Sequence, residues 1–344
     1  MVAAVLAVAL AACGCSGRDS GQKLVSDFPF LQRLGADSVA AVVVGDELKV
    51  DDGSPRLLVG DATLRALLGK VMPHSALGEA AYPAPCYIVG IKRMGSDRLV
   101  VAYWLATDGG GLGFMAAYDR SGRLTDYMNV GTWHYEQPSY RDEQGGTAIV
   151  ESDRVTCDFA GHGAFTLVKE NSEYEAQVTG VDLDKWQRMS DVWSQVREFG
   201  YKLDAKGHFV PASTLVKKRV GMTADQELSY AIDDLGCLPM SDAKKYDKIN
   251  RQAATLKLAD PQWMHDLQPI VRDAYDRNPA ELLMWLNAHR DASSNHLAAV
   301  MATIYTDGLE EKADLLDAID ALPSAEARTY LGNLVDPWAP ADDQ

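Results

Sequence analysis

Long hydrophobic runs are scarce in this sequence. The apolar stretch at its start, Val2 to Ala12, is 11 residues long, and a helix that crosses a bilayer needs about 20. A stable span is excluded there. Positive charge is also in short supply: 33 Lys and Arg face 49 Asp and Glu, a net charge of −16. Phosphate backbones are bound by a surplus of cations on one face, so nucleic acid is excluded as a partner. Broad electrostatic docking to anionic lipid is disfavoured for the same reason. Motifs that carry chemistry are missing too. There is no Gly-x-Ser-x-Gly elbow, no His-Glu-x-x-His helix and no Cys-x-x-Cys pair,. Asp182-Leu183-Asp184 lacks the glycine and terminal glutamate of a calcium loop,. No cofactor and no metal are expected. A fixed repeat is absent as well: the Asp-x-x-Gly hairpin loops at Asp119 and Asp204 do not belong to the steady period of propeller blades,.

What is present describes two unlike halves. With 47% hydrophobic residues the chain has enough apolar side chains to bury sizeable cores,. Residues 13–219 carry 23 Lys/Arg and 27 Asp/Glu, a net of −4, while residues 220–344 carry 10 and 22, a net of −12. That shift places a boundary near 215–222. The fold class expected is α+β with segregated parts, an antiparallel β-rich domain over 28–215 followed by an all-α helical bundle over 220–337.

In the first part, Ser38 to Val44 and Arg56 to Val59 are apolar, β-branched runs that predict strands. Asp61 to Leu68 predicts a short helix closed by Gly69. Strand-like segments follow at Cys86–Lys92, Arg98–Ala106, Leu112–Tyr118, Thr147–Glu151, Arg154–Phe159, Ala164–Lys169 and Glu173–Thr179. Short turns between them require antiparallel pairing. About ten strands result, and sandwich, barrel and stacked meander all remain open. After Gly221 the pattern becomes helical. Thr223 opens one helix that Gly236 closes, and Ser241 opens the next, to about Leu258. Asp260-Pro261 and Asn278-Pro279 pair a capping residue with proline at the first helical position. Further helices carry Leu297, Val300 and Met301, then Leu315 and Ile319, then the stretch from Ser324 to Val335.

The chain's opening has an address of its own. Leu10-Ala11-Ala12-Cys13 closes the apolar run, and the flexible Gly14-Cys15-Ser16-Gly17 follows it,. These residues resemble the lipobox of bacterial lipoproteins. The resemblance implies that 1–12 is an export signal, that Cys13 is lipidated, and that 13–27 is a flexible tether. It also implies anchoring to a membrane of the cell envelope through acyl chains such as palmitate, with the folded domains outside the cytoplasm. Each buried methylene of those chains contributes about 0.8 kcal/mol. In such a compartment Cys86 and Cys157 could pair, or Cys86, Cys157 and Cys237 could remain buried thiols.

Candidate sites are few. His134 and Glu136 lie two apart and would project from one face of a strand, where a carboxylate beside an imidazole suits acid–base work. Trp133 and Tyr135 would face the other way and could present aromatic surface to a glycan or a protein. Tyr82, Tyr87, Tyr103, Trp104 and Tyr140 add to the aromatic content of this part, with core packing favoured for Trp104. The Gly-rich Asp108 to Gly113 runs into a strand, which suits a hairpin loop better than a phosphate cradle. His162 sits in a turn, and His289 and His296 straddle a helix boundary. The function expected is a non-enzymatic binding or structural module of the envelope, its partner an envelope protein or a glycan. The alternative is an envelope hydrolase that uses His134 and Glu136.

Overall fold

The computed structural model describes residues 21–71, 84–107, 110–141, 146–161, 163–181, 183–255, 267–268, 270–272, 274–275, 278–290, 295–304 and 309–335. Cys13, Tyr82, His162, Asp182 and the start expected at Asp260-Pro261 lie outside them. An N-terminal antiparallel β domain is followed by a C-terminal helical bundle, as the sequence leads one to expect. The chain forms two compact units. One runs to Ala224 and includes Pro239–Asp242; the other holds Asp225–Leu238 and the residues from Ala243 onward.

The β unit is one long meander. In spatial order β2 (Leu57–Leu58), β3 (Cys86–Arg93), β4 (Arg98–Thr107), β5 (Gly110–Asp119), β6 (Leu124–Arg141), β7 (Thr147–Gly161), β8 (Ala164–Gln177), β9 (Gln187–Leu203) and β10 (Phe209–Val220) each pair with the next. β1 (Glu47–Lys49) pairs with β7 off this path. Two hairpins use the same loop chemistry. Asp119 Oδ1 accepts from the backbone N–H of Ser121 and Arg123, and Asp204 Oδ1 from those of Lys206 and His208. Gly122 and Gly207 then take φ of +86°, which glycine adopts without steric cost,.

β6 and β7 are long because each serves two neighbours. β6 pairs with β5 from Leu124 to Tyr135 and with β7 from His134 to Arg141. Beyond Arg154 the partner of β7 becomes β1, through Leu48 opposite Cys157. The meander therefore splays into two layers joined along the β6–β7 hairpin. Met115, Met128 and Trp133 from one layer meet Cys157, Phe165, Leu167 and Phe209 from the other in a shared core. The opposite face of β3–β6 builds a second core from Ile88, Ile91, Tyr103, Phe114, Tyr118 and Tyr127. Three helices cover it: α1 (residues 21–27), α2 (Ala36–Ala41) and α3 (Asp61–Leu68), with Leu24, Val39, Leu64, Leu67 and Leu68 facing inward. Burying each such aliphatic side chain stabilises the fold by about 1.5–3 kcal/mol.

Several expectations need correction. Ser38 to Ala41, expected as a strand, are helical, and only Val43 bridges the sheet, at Ile91. Gly35 breaks the chain just before them, and Val39 and Val42, three apart, both reach the core beneath one helical face,. Residues 21–27, expected within the flexible tether, are helical, with Leu24 buried against the core. The strands expected on either side of Ser152-Asp153, and of Glu170-Asn171-Ser172, are single strands, β7 and β8. Cys86 and Cys157 do not pair. They are buried thiols in the two different cores, and Cys237 is a buried thiol as well.

Asp126, fully buried at the start of β6, ties distant parts of the β unit together. Its Oδ1 accepts from the N–H of Tyr127 at 2.9 Å and of Ser241 at 3.0 Å; its Oδ2 accepts from Phe209 N–H at 2.7 Å and Ser241 Oγ at 2.6 Å. Met240 N–H adds a bond to the Tyr127 carbonyl. In this way Pro239–Asp242, which interrupts the helices, belongs to the β unit.

The α unit contains α4 (Ala224–Gly236), α5 (Lys245–Thr255), α6 (Pro279–Ala288), α7 (His296–Ile304), α8 (Leu309–Asp320) and α9 (Ala325–Val335). Ile232, Ile249, Leu282, Leu286, Leu297, Met301, Leu315 and Leu331 make its core. Two of the expected starts carry caps: Asn278 Oδ1 accepts from Glu281 N–H, and Ser324 Oγ from Ala327 N–H,. Ser241, expected to open a helix, instead donates to Asp126, and α5 begins at Lys245. Lys245 is buried and bonds to Glu281 at 2.7 Å. His289 stacks on Trp285 with ring centroids 4.1 Å apart, at the end of α6, while His296 begins α7.

Candidate functional site

Where β6 through β10 extend beyond the two cores, a small apolar cluster of Val150, Tyr174 and Ala176 lies at the ends of β7 and β8, and between it and the cores both faces of the sheet carry polar side chains. On one of them the register assembles a row of serines. Ser152 of β7 stands opposite Ser172 of β8, and Ser172 opposite Ser194 of β9. Directly opposed residues share a face with their Cβ atoms about 4.5–5.5 Å apart, so three short side chains lie side by side. Longer ones stand around them. Glu136 continues the row on β6, while Arg154, Glu170, Val196 and Lys218 form the next row across β7 to β10. The height difference makes a cleft of about 220 Å³, lined by these side chains and Arg188.

The charges in the cleft are unequally engaged. Arg188 lies 4.2 Å over the Tyr174 ring and bonds to Asp191 at 2.6 Å, and Lys218 bonds to Asp191 at 3.1 Å. The Arg188 guanidinium, with the Lys218 ammonium, holds the Asp191 carboxyl down to about 2. Glu136 accepts a hydrogen bond from the Tyr174 hydroxyl; burial, and then that bond, push the Tyr174 phenol up. Arg154 differs. Its Nε is buried without a hydrogen-bond partner, and no carboxylate of the described residues forms an ion pair with it, Glu170 opposite included. A guanidinium presents five donors in a fork that matches an oxyanion.

The site expected from sequence is partly assembled. His134 and Glu136 do share a face. Glu136 lines the cleft, and His134 stands opposite Arg154 with Nδ1 buried and unbonded. Trp133 and Tyr135 do face the other way, but Trp133 presents no surface. It is fully buried in the shared core, its Nε1 donating to the Tyr103 carbonyl at 2.6 Å. Tyr135 is half-buried and donates to Gln137 Oε1 at 2.7 Å. Tyr103 and Trp104 are core residues. The glycines before Phe114 are explained by the indoles. A Cβ on Gly111 would sit 1.4 Å from Trp104 Nε1, and one on Gly113 would sit 2.4 Å from Trp133 Nε1. They are strand residues cleared for two tryptophans, and residues 108 and 109 lie outside the description.

Sequence reading missed Ser152, Arg154, Glu170, Ser172, Arg188, Ser194 and Lys218. A signal was there: Glu151-Ser152-Asp153-Arg154 and Glu170-Asn171-Ser172-Glu173 are polar at consecutive positions, which reads as a turn. A strand with both faces polar has the same composition. The opposite face at this level bears Asn171, which donates to Asp153 at 2.8 Å and accepts from Arg197 at 3.0 Å. Lys169 and Arg197 lie 5.2 and 5.7 Å over the Phe199 ring.

Among the described residues no three His, Cys, Asp or Glu side chains converge as a metal-ligand set, and no helix is long and apolar enough to cross a membrane. Comparison of the chain with protein-family models, with curated proteins and with solved structures found no match.

Proposed function

We propose that the chain is an exported lipoprotein, held to a membrane of the cell envelope through acyl chains on Cys13, whose β unit binds a small polar ligand in the serine-floored cleft. The cleft is the observation that carries the binding half of this reading. Its floor is made of short side chains on paired strands, so the floor hydroxyls need little reordering when a ligand arrives,. Its lining holds donors and acceptors of both signs, which suits a polar occupant over an apolar one. Leu10-Ala11-Ala12-Cys13, closing a short apolar run, supports the anchor.

Two measurements test the halves separately. Intact mass of protein from its native host should show a chain starting at Cys13 and carrying acyl groups; an unmodified chain starting at Met1 would end the anchor reading. Equilibrium dialysis against a low-mass polar extract of the envelope should show a retained compound, and Ser172→Leu, which fills the floor, should lose it. Equal retention by the variant would remove the cleft as the binding site. The hydrolase reading rests on His134 and Glu136 sharing the cleft's face. It requires turnover of an envelope glycan or peptide that Glu136→Ala abolishes.

A further inference from the structure

The arrangement of charge around the serine row goes further than polarity. Of the three cations in the cleft, Arg188 and Lys218 are both bonded to Asp191. That leaves Arg154 as the cation lining the cleft with no carboxylate partner among the described residues and with a buried, unbonded Nε. A guanidinium in that condition favours an oxyanion, because burying its Nε donor without an acceptor costs free energy that a ligand carboxylate offsets,. Two carboxylates flank it. Glu170 stands opposite Arg154 on β8, and Glu136 stands opposite Ser152, one row along on β6. Among the described residues Glu170 forms no ion pair, and Glu136 is bonded only to a neutral phenol. With Asp191 included, the cleft's three cations and three carboxylates cancel. A ligand of single charge gains at one side of such a site and loses at the other.

We propose that the cleft recognises a small zwitterion of the amino-acid or dipeptide class, its carboxylate on Arg154 and its ammonium against Glu170 and Glu136. Cross-strand neighbours on one face stand about 4.5–5.5 Å apart at Cβ, so Arg154 and Glu170 can reach the two ends of one small molecule. The volume, about 220 Å³, suits a small molecule. The serine hydroxyls, as donors and acceptors, meet the remaining amide or side-chain atoms.

This inference rests on the binding half of the proposed function, and the test separates the two. Calorimetric titration of the full chain would use dialanine, N-acetyl-dialanine, dialanine amide and N-acetylglucosamine as probes. Dialanine should bind, and blocking either end should weaken it by about tenfold or more, the loss of one charge-assisted contact. Arg154→Gln should bind dialanine and its amide equally, and Glu170→Gln should narrow the gap between dialanine and its N-acetyl form. Ser172→Leu, which leaves every charge in place, should abolish binding, and circular dichroism would verify that each variant is folded. Equal affinity for free and blocked dipeptides, or binding of the neutral sugar alone, overturns the zwitterion assignment while the polar-ligand reading stands. Binding of none of the four probes, while a compound from the envelope extract is retained, overturns the zwitterion assignment alone. If the extract also yields nothing, both fall.

Discussion

Replacing Asp126 with alanine should destabilise the β unit far more than its surface-like residue type suggests. The carboxylate is fully buried and accepts four hydrogen bonds, two of them from the buried backbone N–H groups of Tyr127 and Phe209. Alanine takes this acceptor away from both, at about 1–3 kcal/mol each. The Ser241 groups can turn to water if Pro239–Asp242 loosens. Against this, the variant no longer buries a carboxylate, and that burial is costly: desolvation raises the Asp126 pKa despite the bonds from Ser241, Phe209 and Tyr127. The net loss should fall near the low end, about 3 kcal/mol, or about 6–12 °C in midpoint at the 2–4 °C per kcal/mol typical of units this size. Asp126→Asn keeps one acceptor oxygen and carries no charge, so it should cost less than alanine. The pH dependence has a definite sign. A carboxyl whose folded pKa is raised binds its proton more tightly when folded, so stability falls as pH rises through the window above 3.8 and stays lower beyond it,. That slope should vanish in Asp126→Asn. Urea unfolding between pH 4 and 7, followed by near-ultraviolet circular dichroism, measures both effects. An alanine variant within about 0.5 kcal/mol of the parent, the range of ordinary surface substitutions, would refute the reasoning.

Other outcomes follow from the same structure. Asp191→Asn should flatten the acid-side loss of stability between pH 3.8 and about 2, because the depressed carboxyl contributes above its unfolded value and loses that contribution as pH falls through the window,. Acid titration of both proteins by circular dichroism checks this. Gly111→Ala should cost about 1–3 kcal/mol or more, because its Cβ would collide with the Trp104 indole in a packed core,; thermal unfolding together with tryptophan fluorescence reads it. Cys86 should resist thiol reagents in the folded protein. Burial pushes its thiol up to about 12 and leaves little reactive thiolate at neutral pH,. Peptide mass mapping after timed alkylation should find it labelled only once the chain is unfolded.

The architecture was legible in the sequence because its signals are local. Asn278-Pro279 and Ser324 mark helix starts by chemistry that acts within three residues, and the caps are present. Asp119 and Asp204, each with a glycine three residues later, mark hairpins by their own side-chain bonds. Where a choice depended on distant packing, sequence alone gave no reliable guide. Ser38 to Val44 is rich in β-branched residues, yet a helical turn over Ala36–Ala41 lets Val39 and Val42 reach a core supplied by strands far along the chain. Trp133 lies beside exposed-looking neighbours and is buried because Gly113, twenty residues earlier, leaves room for its ring.

The cleft is the extreme case of that dependence. Ser152, Ser172 and Ser194 have no local relation to one another, and each sits in a polar stretch that reads as a place for the chain to turn. What joins them is register alone: β7 to β8 without a shift from Thr147 to Asp158, and β8 to β9 without one from Ala164 to Glu173. A slip of one residue in either pairing would send the displaced strand's cleft residues to the other face of the sheet. That register is pinned by the core at the far ends of the same strands, where Cys157, Leu167 and Phe165 have no acceptable alternative to burial. The apolar ends thus hold the polar ends in place, and the position of Arg154 beside three serines is a consequence of where Cys157 must lie, three residues further along β7.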